Sequence, residues 1–206
     1  MKEFEKRFEK TFEELEKLDK KWIIKGIPKG HERIWAPKNE VKLWSIKRNT
    51  AELLKFLVVA TKSKTILELG TSAGYSTLWL AYGAKINKGK VYTVELFEPK
   101  IKLAREHFKE AMLDDHIIQI HGEINKKLEN WKRQVDFVFM DANKHEYLKY
   151  TKMILPHLKK GGIIAADNAI NHAHLMKDFL EFIKNNKELE SCVLNIDDGL
   201  LLAVKK

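Results

Sequence analysis

A single cysteine, Cys192, stands in a chain of 206 residues. No disulfide can form within the chain, and no cluster of thiolates is available to hold zinc. Long apolar runs are missing too. The longest near the N-terminus, Phe56 to Ala60, is far shorter than the roughly 18 residues a membrane-spanning helix needs. The opening residues are charged and do not form an apolar leader. Together these absences predict a soluble, cytoplasmic protein with no membrane partner. Internal repeats and low-complexity tracts are also absent, and the length suits one domain with a full core and a small N-terminal extension.

Negative charge is the scarcer sign, and the shortfall is local. The net charge is +9, and residues 1–64 hold 17 Lys and Arg against 10 Asp and Glu, which leaves +2 for the rest. A basic N-terminal third fits nucleic acid or another anionic partner, and it also fits a solvated, lysine-rich surface. In residues 1–22, Phe4, Phe8, Phe12, Leu15, Leu18 and Trp22 recur three or four apart between Lys and Glu, as on an amphipathic helix. The domain's own core is the default surface for that stripe; another subunit or a lid are the alternatives. From Ile23 to Lys38 two glycines and two prolines predict an irregular connection long enough to lie over a site.

The stretch from Thr65 to Ser76, T-I-L-E-L-G-T-S-A-G-Y-S, organises the rest of the chain. An apolar run broken only by Glu68 stops at Gly70, as a buried parallel strand does where it turns into a helix, and Gly74 opens that helix. The turn has neither the G-x-G-x-x-G of a dinucleotide fingerprint nor the G-K-[ST] of a phosphate cradle, so a ligand without phosphates is favoured. A helix about Ser45 to Ala60 precedes the strand, and the helix after Gly74 is expected to end near Gly83. Strands then recur at Lys90 to Glu95, Ile117 to His121, Val135 to Met140 and Ile163 to Ala166. Helices are expected at Pro99 to Met112, Tyr147 to Leu158 and Leu175 to Ile183. The segments Ser191 to Ile196 and Leu200 to Val204 flank Asp197-Asp198-Gly199, a hairpin signal. This alternation predicts an α/β, Rossmann-like, mostly parallel sheet with helices on both faces, whose ligands gather at the carboxyl ends of the strands.

Acids stand at those ends. Glu95 lies 21 residues beyond Gly74, where doubly wound folds place a carboxylate for ribose hydroxyls, although an exposed strand-end acid has the same spacing. Asp141, Asp167 and Asn168 offer three oxygen donors on two strand ends, a set that suits Mg²⁺ and equally occurs in plain turns. Gly122 and Glu123 follow the third strand, where a turn glycine lets the backbone approach a base.

The opening motif E-x-G-x-x-x-G-Y-S resembles that of class I S-adenosylmethionine-dependent methyltransferases. Asp141-Ala142-Asn143-Lys144-His145-Glu146-Tyr147, followed by Gly161-Gly162 and Asp167-Asn168, resembles the cation-dependent O-methyltransferases, the catechol and caffeoyl-coenzyme A group. The likeness covers residues 45–206, leaving 1–44 as a helical extension and loop. It implies a seven-stranded sheet with a C-terminal antiparallel hairpin. The implied metal ligands are Asp141, Asp167 and Asn168, binding Mg²⁺ or another divalent cation such as Mn²⁺ or Ca²⁺, with Lys144 as general base. Ile46, Glu68, Gly70, Thr71, Ser72, Gly74, Ser76, Glu95, Leu96, Glu123, Ile124 and Asp141 would border S-adenosylmethionine. The chain departs from the family at Glu123-Ile124, where Asp-Ala is commoner. It departs again at Ala142-Asn143, which replaces aromatic residues, and in the short segment Ala169 to His174. There His172 and His174 read either as substrate contacts or as solvent-exposed residues at a helix start.

The expected reaction is methyl transfer to a hydroxyl of a small phenolic or catechol-like acceptor. Two alternatives stand beside it: methylation of a hydroxyuridine in tRNA, and a cofactor-binding scaffold without catalysis. Relatives are often dimers, so a homodimer is expected.

Overall fold

The computed structural model describes residues 2–27, 29 and 36–206. The middle of the connection expected over Ile23 to Lys38, at residues 28 and 30–35, lies outside the described residues. Helix α1 (Lys2–Asp19) carries the aromatic stripe, and the stripe packs within the chain. Phe8, Phe12 and Leu15 are buried, and full burial of such a side chain contributes about 1.5–3 kcal/mol. Phe8 meets Trp79 edge-on at 5.1 Å and Phe12 meets Tyr75 at 4.9 Å. Polar ties hold the same face, since the Tyr75 hydroxyl donates to Glu16 at 2.8 Å and Arg48 pairs with Glu9 at 2.8 Å.

Two short strands, β1 (Ile23–Lys25) and β2 (Glu40–Lys42), pair antiparallel outside the main sheet. Then come α2 (Arg48–Ala60), β3 (Thr65–Leu69), α3 (Tyr75–Ile86), β4 (Lys90–Glu95), α4 (Glu98–Glu110), β5 (Ile117–His121) and α5 (Ile124–Glu129). The second half adds β6 (Val135–Met140), α6 (Tyr147–Ile154), β7 (Leu158–Asp167), α7 (Lys177–Asn185), β8 (Leu189–Leu194) and β9 (Leu200–Lys205). The seven-stranded sheet has the order β5-β4-β3-β6-β7-β9-β8. The strands from β3 to β7 run parallel, while β9 is antiparallel to both β7 and β8. Alternation along the strands feeds two cores. Ile66, Val91, Phe137 and Phe139 join the cluster under α1, α2 and α3. Leu67, Leu69, Val94, Val138 and Met140 join the one under α6 and α7.

Most element ends shift by up to three residues from the sequence expectation, and three differences have a clear physical reason. Helix α3 passes Gly83 and ends at Ile86; a Cβ on Gly83 would stand 2.8 Å from Val58, so this glycine serves close packing of α2 on α3 and not termination. Helix α6 stops at Ile154, and Leu155–His157 forms a single 3₁₀ turn around Pro156, which has no N–H to extend the helix. Gly161-Gly162 lie inside β7 and do not precede it. The pairing of β6 with β7 shifts there between Val135 and Phe137, and Gly161 takes φ +76° as a bulge requires.

Candidate active site

The carboxyl ends of β3, β4, β6 and β7 open on a cavity of about 350 Å³, within the range of small-molecule sites. Gly70 is the hinge of its floor. Its φ is +103° and an added Cβ would run into the Asp141 backbone, so two strand ends meet at a distance only glycine permits. Beyond it, Ser72 is held in the left-handed region (φ +47°) by both of its ends. Its N–H donates to Glu95 Oε2 at 2.9 Å and its Oγ donates to the Leu43 carbonyl at 2.6 Å. Glu95 Oε1 accepts the N–H groups of Leu96 and Phe97, each at 2.9 Å. The carboxylate is thereby fixed at the end of β4, on the cavity wall, with acceptor capacity left beyond these three bonds.

At the end of β6, Asp141 pairs with Lys144 at 2.6 Å. Asn143 accepts from the His145 N–H at 3.3 Å and so caps the 3₁₀ turn Lys144–Glu146 that carries the lysine. Tyr147 explains the last position of the D-x-x-K-x-x-Y motif. It is fully buried; its hydroxyl donates to the Met140 carbonyl at 3.0 Å and accepts from the Ala142 N–H at 3.3 Å, latching the loop onto the strand. Burial is the strongest single influence on Lys144 and lowers its pKa, but Asp141 and Tyr147 together, through charge and hydrogen bonds, outweigh it, so the ammonium is held above the usual lysine range. Asp167, at the end of β7, is pushed up to about 7, first by burial and then by the neighbouring charge of Asp141, with Lys144 opposing. Asn168 follows at φ +65°, a conformation asparagine tolerates.

Of the residues expected from sequence, Ile46, Gly70, Ser72, Glu95, Leu96, Glu123, Ile124, Asp141, Lys144, Asp167 and Asn168 share this one cavity wall. Glu68, Thr71, Gly74 and Ser76 are not on it. Glu68 lies before the strand end and faces α3, fully buried, where Ser76 (2.6 Å), Thr77 and Thr93 (2.6 Å) donate hydroxyls to it. Thr71 bonds Thr93 at 2.5 Å, and a Cβ on Gly74 would stand 2.5 Å from Phe108. These four residues brace the turn from behind. From α4, His107 Nδ1 adds a 3.0 Å bond to the Ala73 carbonyl. His172 lines the cavity, and its ring lies 6.3 Å from that of His174.

Glu146 and Asp198, from the loop motif and the hairpin signal, also line the cavity, as do Lys100, Trp44, Asn125 and Tyr150, which no motif in the sequence singles out. Asn125 is informative because its amide is oriented. Its Nδ2 donates to Glu146 Oε1 at 2.8 Å, while Glu146 Oε2 accepts the Tyr150 hydroxyl at 2.7 Å. That leaves Asn125 Oδ1 buried without a partner. A buried acceptor of this kind is costly until a ligand donor reaches it. The exocyclic amine of an adenine is such a donor, so the wall fits an adenosine cofactor. For a metal, the described residues hold no cluster of three or more His, Cys, Asp or Glu. The expected set has two carboxylates and one amide oxygen, a hard-donor set that fits a magnesium-type ion.

A β3-to-α3 glycine turn, an anchored acid at the end of β4 and a closing antiparallel hairpin fit the class I S-adenosylmethionine-dependent methyltransferases. The model of the O-methyltransferase family matches residues 32–206, and the chain belongs to that family. A catechol O-methyltransferase of Niastella koreensis is 31% identical over 79% of this chain and 82% of its own. A methyltransferase of Podospora anserina, solved bound to SAH, aligns with TM-score 0.72 at 26% identity over 79% of this chain and 80% of its own. An O-methyltransferase from Bacillus cereus in complex with SAH shares the fold over 98% of this chain and 91% of its own, with TM-score 0.75 at 23% identity. Among the described residues, no helix is long and apolar enough to cross a membrane.

Proposed function

We propose that this enzyme methylates a hydroxyl of a small phenolic, catechol-like acceptor and that it does so with a divalent cation, Mg²⁺ first, held by Asp141, Asp167 and Asn168. The observation that carries the reading is the 2.6 Å pair of Lys144 and Asp141 on a cavity wall shared with Asp167 and Asn168. The catechol name of the Niastella relative supports the acceptor class.

In this reading Gly70 and Ser72 border the methionine end of the cofactor, and Glu95 takes the ribose hydroxyls. Glu123, Ile124 and Asn125 face the adenine. Bound there, S-adenosylmethionine would supply a methyl on a sulfonium, and a cation held by Asp141, Asp167 and Asn168 would supply Lewis acidity that lowers the acceptor's pKa. Lys144 receives the acceptor proton. As an ammonium held by Asp141 it cannot do so; a cation engaging Asp141 would weaken that hold and leave burial, which lowers the lysine's pKa, opposed by Tyr147 alone. Tyr147 keeps the loop, and with it the amine, at a fixed height above the sheet edge.

The test is Lys144→Met. Methyl transfer to a catechol should fall at least about 100-fold while SAH affinity stays within about twofold, because the amine acts as base and not as a cofactor ligand. Undiminished transfer would remove Lys144 from this role.

A further inference from the structure

Lys100 stands in the first turn of α4, is 6% exposed, and lines the cavity. Its ammonium lies 4.8 Å from the centre of the Trp44 ring. Three carboxylates act on it through space: Glu95, Asp141 and Asp19. Each is already engaged. Glu95 is taken by three backbone N–H groups, Asp141 by Lys144, and Asp19 by the Ser45 N–H and hydroxyl at 3.1 and 3.0 Å. Among the described residues no acid forms an ion pair with Lys100, and no acceptor hydrogen-bonds its ammonium. Burial accordingly pulls its pKa below the usual lysine value. A buried cation resting on an aromatic face alone is an incomplete site, and its open side is the cavity.

We propose that Lys100 is a carboxylate-binding residue of the active site, pairing with an acid group carried in by a bound ligand. This rests on the reading of the cavity as a methyltransferase site. A singly charged carboxylate fits better than a phosphate, because Glu95 and Asp141 stand close enough to repel a dianion while one ammonium neutralises a single charge. Two ligands bring such a group: the cofactor, through its amino-acid end, and an acceptor that is itself a phenolic acid. Ser72 and Leu43, joined by a hydrogen bond, place the Trp44 side of the cavity next to the turn that borders the methionine end.

The experiment measures two ratios in the wild type and in Lys100→Met, which keeps the stem and removes the charge. One is the affinity for SAH against that for 5′-methylthioadenosine, which lacks the amino-acid end. The other is the KM for 3,4-dihydroxybenzoate against that for catechol. One ratio should favour the acid in the wild type and collapse at least about tenfold in the variant, the size of a lost charge-assisted bond. Collapse of the first identifies the cofactor as the source, and collapse of the second identifies the acceptor. Both ratios unchanged in the variant would overturn the assignment. Should Lys100→Met fail to fold, a wild type with no preference for the acid in either pair overturns it equally. A wild type that binds no SAH at all would instead refute the methyltransferase reading beneath it.

Discussion

Glu68 should make the protein lose stability as the pH rises through neutrality. Its carboxyl is fully buried and pushed up to about 7, mainly by burial, against 4.5 for an exposed glutamate. Between those values the folded state binds a proton that the unfolded state has released, so stability falls with pH. The contribution is fully present below about pH 4.5 and is lost as the pH passes 7. Integrated from pH 5 to pH 8, the loss is about 2–3 kcal/mol. Asp167 has a shift of the same sign, so the wild type alone cannot isolate the effect. Glu68→Gln can, because glutamine does not titrate. At pH 5 the variant should be the less stable protein, since its amide NH₂ faces hydroxyls that donate to Glu68. Urea denaturation at several pH values gives the gap between the two, which should narrow by about 2–3 kcal/mol on going to pH 8. A gap constant across that range would mean that Glu68 is already ionised at pH 5, and burial would not be raising its pKa.

Asp197 caps α2 from the β8–β9 hairpin: its Oδ2 accepts the Thr50 N–H at 2.9 Å and the Thr50 hydroxyl at 2.8 Å, and its Oδ1 accepts from Asn49 at 3.2 Å. Asp197→Ala should therefore cost about 1–2 kcal/mol in chemical denaturation, and Asp197→Asn, which keeps an acceptor and tolerates φ +48°, clearly less. Tyr147→Phe leaves the Met140 carbonyl and the Ala142 N–H without their partner and should cost about 1–3 kcal/mol by the same assay. Its turnover should fall further than its SAH affinity, because the loop it latches carries Lys144 and not the cofactor turn.

The parallel strands were legible as short, largely apolar runs closed by glycine or acid, and at β3, β4, β6 and β7 that closing residue marked the cavity. Strands β1 and β2 escaped because three residues each, I-I-K and E-V-K, carry no period. Glu68 was expected beside the cofactor from its place in the motif. The side chain two residues before Gly70 instead points with Ile66 toward α3, and only residues beyond Leu69 reach over the sheet edge. Lys100 and Asn125 were invisible for a different reason. A lysine and an asparagine among many acquire meaning only from what surrounds them, an aromatic ring and occupied carboxylates in one case and a fixing carboxylate in the other. Gly83 and Gly161 misled because a glycine needed for close packing or a bulge reads like one that ends an element.

The most direct measurement is labelled methyl transfer from S-adenosylmethionine to catechol by protein stripped with a chelator, before and after Mg²⁺ is restored. The stripped protein should transfer no methyl and should recover on adding Mg²⁺, with Asp167→Ala failing to recover. Equal transfer in the presence of chelator would contradict a cation-dependent reaction at this site.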